Sequence, residues 1–212
     1  VIKERFINLN WNIGKMYKSL LWIGGVHGSG KSTGIQALSM QQPILRCLYL
    51  GDLFYHTAIA EGFEWEDLEE ESKLLRVERK VKSNIETQLS EADILIDSHF
   101  CVYIGKKRFP GFHASNLLSL SQQTNARRAL VLLFASPEEI LRRRMGSKKK
   151  YQNYPTISNE SLVNQELRDS EEYFAYFQKA LSPRFVLRID TTYTPVDKVV
   201  NLLERTYNEL RS

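Results

Sequence analysis

Gly25-Val-His-Gly-Ser-Gly-Lys-Ser32 matches the phosphate-loop pattern G-x-x-x-x-G-K-[ST] at every position. The apolar run Ser19-Leu-Leu-Trp-Ile-Gly24 leads into it, and Thr33-Gly-Ile-Gln-Ala-Leu-Ser39 leads out with helical character. Polyphosphate binding needs this combination. Glycines let successive backbone N–H groups point into one concavity, and the helix N-terminus adds its partial positive charge. The reading assigns Gly25, His27, Gly28, Ser29, Gly30, Lys31, Ser32 and Thr33 to a nucleoside triphosphate. Lys31 reaches the β and γ phosphates, and the Ser32 hydroxyl is placed to hold Mg²⁺.

The strand–loop–helix order extends along the chain. Apolar runs at Leu20–Ile23, Leu45–Leu50, Ile94–Ile96, Ala129–Phe134 and Phe185–Ile189 are separated by helical stretches. This alternation predicts an α/β fold: a five-stranded parallel sheet with helices on both faces and ligands beyond the carboxyl ends of the strands. Three segments look too polar or irregular for plain connections: Glu61–Lys82, Tyr103–Ser115 and Met145–Asn159. Loops of that length in a small domain act as lids or mobile segments, and the last is read as a short lid.

A length of 212 residues allows one large domain, and 42% hydrophobic with 25% charged residues is ordinary for a globular chain. No apolar stretch approaches the ~20 residues of a membrane span, and no secretory leader is legible, so the expected location is cytoplasmic. Residues 1–15 precede Met16 as an N-terminal extension of unknown role: an upstream extension, a remnant of truncation or an added sequence. Residues 16–212 form the phosphate-loop domain, with an acceptor-side helical segment over about 52–92 and the lid over about 145–159. Cys47 and Cys101 read as buried free thiols, and four scattered histidines argue against a zinc cluster. The net charge of +4 suits an anionic small substrate without pointing to nucleic acid.

Beyond the phosphate loop, Ile94-Leu-Ile-Asp97 is an apolar strand ending in a carboxylate, the form of the second magnesium-orienting group in such enzymes. His99 follows; it orients Asp97, approaches the acceptor or is structural. Pro137-Glu-Glu-Ile-Leu-Arg-Arg-Arg144 reads as a helix running into a basic cluster, continued by Lys148, Lys149 and Lys150. That cluster is either a solvated face or an arginine-bearing lid over the transferring phosphoryl group, whose equatorial oxygens call for guanidinium donors. Arg143 is the first choice there, with Arg144 and Lys150 next. Arg168 shares a helix face with Asn164; it returns to the phosphates or pairs with Glu171 or Glu172. Asp52 closes the second strand, where it caps the next helix or faces an acceptor together with Phe54. The run Glu64–Glu71 reads as a solvated helical face, and Tyr173-Phe-Ala-Tyr-Phe177 as core.

These pieces in this order resemble the archaeal-type adenylate kinase family, over roughly residues 18–210. The resemblance rests on G-V-H-G-S-G-K-S-T, Leu50-Gly-Asp-Leu-Phe54 with Ala58–Gly62, Ile94-Leu-Ile-Asp-Ser-His99 against the family's I-D-T-H, Phe109-Pro-Gly-Phe112 against L-P-G-L, and Pro137–Arg143. It implies ATP at the phosphate loop, AMP between the second and third strands, and γ-phosphoryl exchange under Mg²⁺. It also implies phosphate contacts from Gly28, Gly30, Lys31, Ser32 and Thr33, Asp97 near the metal and Arg143 at the transferring group. Two departures stand out. The family's acidic–arginine run D-R-D-x-x-R is Glu66-Asp-Leu-Glu-Glu-Glu71 here, and the lid's R-x-R is Lys150-Tyr-Gln152. A donor site intact beside an altered acceptor site fits a nucleoside monophosphate kinase with a changed acceptor. It fits equally a nucleotide-switch ATPase, with RNA or a ribonucleoprotein as an open partner class.

Overall fold

The computed structural model describes residues 17–146 and 159–212. Its centre is a parallel sheet of five strands: β1 (Lys18–Gly24), β2 (Arg46–Tyr49), β3 (Ile94–Ser98), β6 (Ala126–Phe134) and β7 (Phe185–Asp190), in the order β2-β3-β1-β6-β7. Each expected strand is present. Side chains alternate across each strand, so one residue set packs on each face. Leu20, Trp22, Ile94, Ile96, Leu130 and Leu132 meet α2 (Leu50–Ala60), α3 (Glu71–Glu91), α4 (Ala114–Gln123) and α6 (Glu160–Leu181). Leu21, Ile23, Leu95, Ala129, Val131 and Leu133 meet α1 (Lys31–Gln41) and α7 (Val196–Arg211). With both faces covered, Leu20–Ile23 is an unbroken apolar run, fully buried.

The connections from β1 and β3 leave the sheet in opposite directions, toward β2 and β6. That reversal opens a crevice at their carboxyl ends. Trp22 anchors the sheet beneath it: the indole packs edge-on against Phe112 and Phe177, at centroid distances of 5.7 and 5.4 Å. Its N–H donates to Ser98 Oγ at 2.7 Å.

Two segments expected to be irregular are regular. Residues 101–110 form a hairpin, β4 (Cys101–Ile104) and β5 (Lys107–Pro110), turning at Gly105 with φ of 56°. A side chain at Gly105 would collide with the Glu69 carboxylate. Glu61–Lys82 becomes a short 3₁₀ turn at Glu66–Glu69 and then the first half of α3. Several of its charges are paired: Glu61 binds Arg76 and Lys80, and Lys73 binds Asp67 and Glu70. The acidic run is thus only partly a solvated face, since Leu68 is fully buried. Phe174 and Phe177 are core, as expected. Asp52 is not a cap, because α2 already starts at Leu50 and Asp52 lies in its first turn. Cys47 and Cys101 are both free and partly buried, and burial pushes the Cys101 thiol up to about 12. The lid residues 147–158, with Lys148, Lys149, Lys150 and Gln152, lie outside the described residues, as do residues 1–15. Among the described residues, no helix is long and apolar enough to cross a membrane.

One buried carboxylate ties the helical face together. Glu78 on α3, 1% exposed, accepts from the His113 backbone N–H at 2.7 Å and Asn116 Nδ2 at 2.8 Å, and pairs with the His113 ring. Burial alone would lower the His113 pKa, but hydrogen bonding and charge from Glu78 outweigh it and hold the imidazole above its ordinary 6.5. A raised folded-state pKa stabilises the fold fully below the unfolded value, and this contribution is lost as pH rises through the folded value. His113→Gln is therefore expected to lower the Tm most below about pH 6.5, with the difference from wild type shrinking toward pH 9. Thermal scans across that range check it; a pH-independent difference refutes the charged pair.

Candidate functional site

The loop from Gly24 to Gly30 leaves β1 with the backbone almost touching β6. A Cβ on Gly25 would lie 2.1 Å from the Leu133 carbonyl oxygen, so only glycine fits. Gly28 and Gly30 both have φ of 87°, the left-handed region that glycine occupies without strain. Val26 packs under the loop with Ala135, Ile140 and Val163, which seats the turn on α5 (Pro137–Gly146) and α6.

The loop's carbonyl groups are taken up in sequence. Lys31 Nζ donates to the Gly25 and Val26 carbonyls at 2.7 and 3.0 Å. Arg144 Nε and Nη2 donate to the His27 carbonyl at 3.0 and 2.9 Å, and Arg143 Nη1 donates to Gly28 at 3.1 Å. Thr191, just past β7, holds its hydroxyl 2.9 Å from the Ser29 carbonyl, and the Gly34 N–H donates to Gly30 at 3.1 Å.

A cleft of about 660 Å³ opens above this loop. Its donor side is lined by His27, Gly28, Gly30, Lys31, Ser32 and Thr33, with Arg142, Arg143 and Gly146 from α5. Its far wall carries Tyr49, Gly51 and Asp52 from β2–α2, and Asp97 and Ser98 at the end of β3 with His99 just past it. The His27 and His99 rings sit 4.2 Å apart. Burial, then the charges of Lys31 and His27, hold His99 well below its ordinary 6.5, so at pH 7 it is a neutral hydrogen-bonding group.

The arginines divide by role. Arg144 is 2% exposed, is not part of the cleft lining and pairs with Glu166 on α6; it clamps the loop. Arg143 reaches the cleft but has four of its five N–H donors engaged, by Glu139, Gly28 and Thr191. Arg142 gives only two donors to Glu139 and is mostly exposed. Arg142 and Arg143 hold the Glu139 carboxyl at about 2. Arg168 does not join the site; it is exposed on α6 and donates to Gln165 at 2.8 Å, while Glu171 and Glu172 take Arg188 and Arg108. Phe54 is 7% exposed in the core against Phe112, not on the cleft wall. Tyr49, Arg142, Glu166 and Thr191 were missed in the sequence. Arg142 and Thr191 had signals there, a basic run and polar residues at a strand end.

No group of three or more His, Cys, Asp or Glu side chains suited to a metal occurs among the described residues. Mg²⁺ needs no such cage, because it takes one or two protein oxygens with substrate phosphates and water. Ser32 and Asp97 line the same cleft and fit that role.

A family model described as "AAA domain" matches residues 24–162. The chain belongs to that family. In three dimensions it is similar to a shikimate kinase from Bacteroides thetaiotaomicron, with a TM-score of 0.56 at 13% identity over 90% of this chain and 98% of that one. It is also similar to a shikimate kinase from Acinetobacter baumannii in complex with shikimate (0.55, 17%, 92% and 96%) and a gluconokinase from Sinorhizobium meliloti 1021 (0.50, 15%, 92% and 96%). At these identities the likeness shows the fold alone, a phosphate-loop NTPase architecture. No curated protein matches the sequence.

The division of the arginines has a measurable consequence. Arg144→Ala leaves Glu166 and the His27 carbonyl without their partner, and is expected to cost about 3 kcal/mol and lower the Tm by about 6–12 °C. Arg142→Ala, at an exposed pair, is expected to shift the Tm by less than about 2 °C. Parallel thermal melts of the two variants decide this.

Proposed function

We propose that the protein is a phosphotransferase that moves the γ-phosphoryl group of Mg–ATP to a small acceptor, with AMP the first candidate from the motif resemblance. The observation that carries this reading is the two-walled cleft: loop amides, Lys31, Ser32 and two arginines on one side, and an open pocket wall from β2–α2 and β3 on the other. A switch that only holds nucleotide would use Asp97 for Mg²⁺ but has no use for the Tyr49, Gly51 and Asp52 part of the second wall.

Lys31 and the loop amides hold the β and γ phosphates, and Arg142 and Arg143 meet charge developing on the transferring group. Arg142 is the better placed to do so without breaking structural bonds. Mg²⁺, when bound, neutralises phosphate charge, and Ser32 and Asp97 are the residues that would hold it. ATP and ADP are the nucleotide partners of this reading.

Lys31→Ala is expected to lower kcat at least about 100-fold, and Arg142→Ala about 10–1000-fold with Mg–ATP affinity changed far less. A coupled ADP-release assay with calorimetry on each variant tests this. Full turnover in Lys31→Ala sinks the assignment.

A further inference from the structure

The charges on the cleft lining are segregated. Among the described residues, every lining cation sits on the donor side: Lys31 on α1, and Arg142 and Arg143 on α5. The far wall presents Tyr49, Gly51, Asp52, Asp97, Ser98 and His99. Among the described residues it holds two carboxylates and an imidazole, and no lysine or arginine. Asp97 is spoken for by the metal role, which leaves Asp52 as the charged group facing an acceptor.

Asp52 is exposed in the first turn of α2. A helix start is ordinarily a place for a phosphate, because its free N–H groups and dipole favour an anion. Here the chain has placed a carboxylate at that end, where it offsets the dipole. Beside it Gly51 is open, since a side chain built there would meet nothing within 4 Å. Tyr49, the last residue of β2, brings a phenol to the same wall. A phosphomonoester brings a charge of about −1.5 to −2 at neutral pH. Docked against Asp52 it would face a carboxylate, with no lysine or arginine from β2–α2 among the described lining residues. A hydroxyl has the opposite preference: it donates to a carboxylate and accepts from a phenol.

We infer that the acceptor's reacting group is an alcohol hydroxyl, with Asp52 as its proton acceptor, on a small polyhydroxylated molecule rather than a nucleoside monophosphate. This rests on the phosphotransfer reading of the cleft and replaces AMP within it. The hydroxyl oxygen forms a bond to the γ phosphorus as the bond from that phosphorus to the β–γ bridging oxygen breaks. ADP leaves with the bridging electron pair, and the hydroxyl proton passes to the Asp52 carboxylate. A phosphate acceptor is already anionic and needs no such base; an alcohol does.

The test is a calorimetric titration of AMP into the protein loaded with Mg²⁺ and a non-hydrolysable ATP analogue, for wild type and Asp52→Asn. Wild type is expected to bind AMP more weakly than about 1 mM, and removing the carboxylate to tighten it about tenfold. Basal hydrolysis of Mg–ATP, with water as the smallest hydroxyl acceptor, is expected to fall about 100-fold in Asp52→Asn and to return in part in Asp52→Glu, with the affinity for Mg–ATP unchanged. Micromolar AMP binding by wild type, or ADP formation accelerated by AMP, overturns the inference and leaves the phosphotransfer reading standing. If hydrolysis is below detection, the AMP titration alone decides. Failure of wild type to take up the ATP analogue overturns both.

Discussion

The site depends on where the carbonyls of one loop point. Contact with the Leu133 carbonyl presses the backbone of Gly25 against β6, and from there to Gly30 every loop carbonyl is held by a donor. The donors come from α1, α5 and the end of β7. Every peptide among the described residues is trans, so a carbonyl turned toward the body of the protein turns the next residue's N–H the other way. Fixing the His27 and Ser29 carbonyls thereby aims the amides of Gly28 and Gly30 at the cleft, before any phosphate arrives. Such preorganisation makes a dipole effective, because no reorientation is needed on binding.

The opposite wall is built by different means. The β4–β5 hairpin returns the chain to the end of β3, where the Gly111 N–H donates to the Phe100 carbonyl at 2.7 Å. A Cβ on Gly111 would fall 1.9 Å from the His99 carbonyl oxygen, so the Pro110-Gly111 step lies directly on the segment that presents His99. Phe112 then plugs into the core beneath Trp22, and Glu78 pins the following turn through His113 and Asn116. The far wall is thus referenced to the same indole that supports the sheet under the phosphate loop.

What was legible in the sequence follows from this division. The five strands and the loop were readable because they depend on local pattern: apolar runs, a glycine spacing, a strand ending in Asp97. The hairpin was readable too, since Cys101-Val-Tyr-Ile and Lys107-Arg-Phe flank a two-residue turn containing glycine, but its lysines suggested an irregular loop. The roles of Arg142, Arg143 and Arg144 were not separable. Consecutive helical residues point about 100° apart, and only the seating of α5 on Val26 and Val163 decides which of them meets the cleft, the loop or solvent. The same applies to Asp52 against Phe54, and to Arg168, whose helix turns that face outward.

The arginine cluster also shows why counting cations near a phosphate loop misleads. The sequence put Arg143 first and Arg144 next on the phosphates, yet most donors of the three adjacent guanidiniums are spent on the loop carbonyls, Thr191 and two glutamates. A guanidinium that holds a carbonyl shapes the amides indirectly and stays put when substrate leaves. One that is paired only with an exposed carboxylate can exchange that partner for a phosphoryl oxygen at little cost. Arg144 and Arg142 mark the two ends of that range, and Arg143, with a single donor to spare, stands between them as both strut and contact.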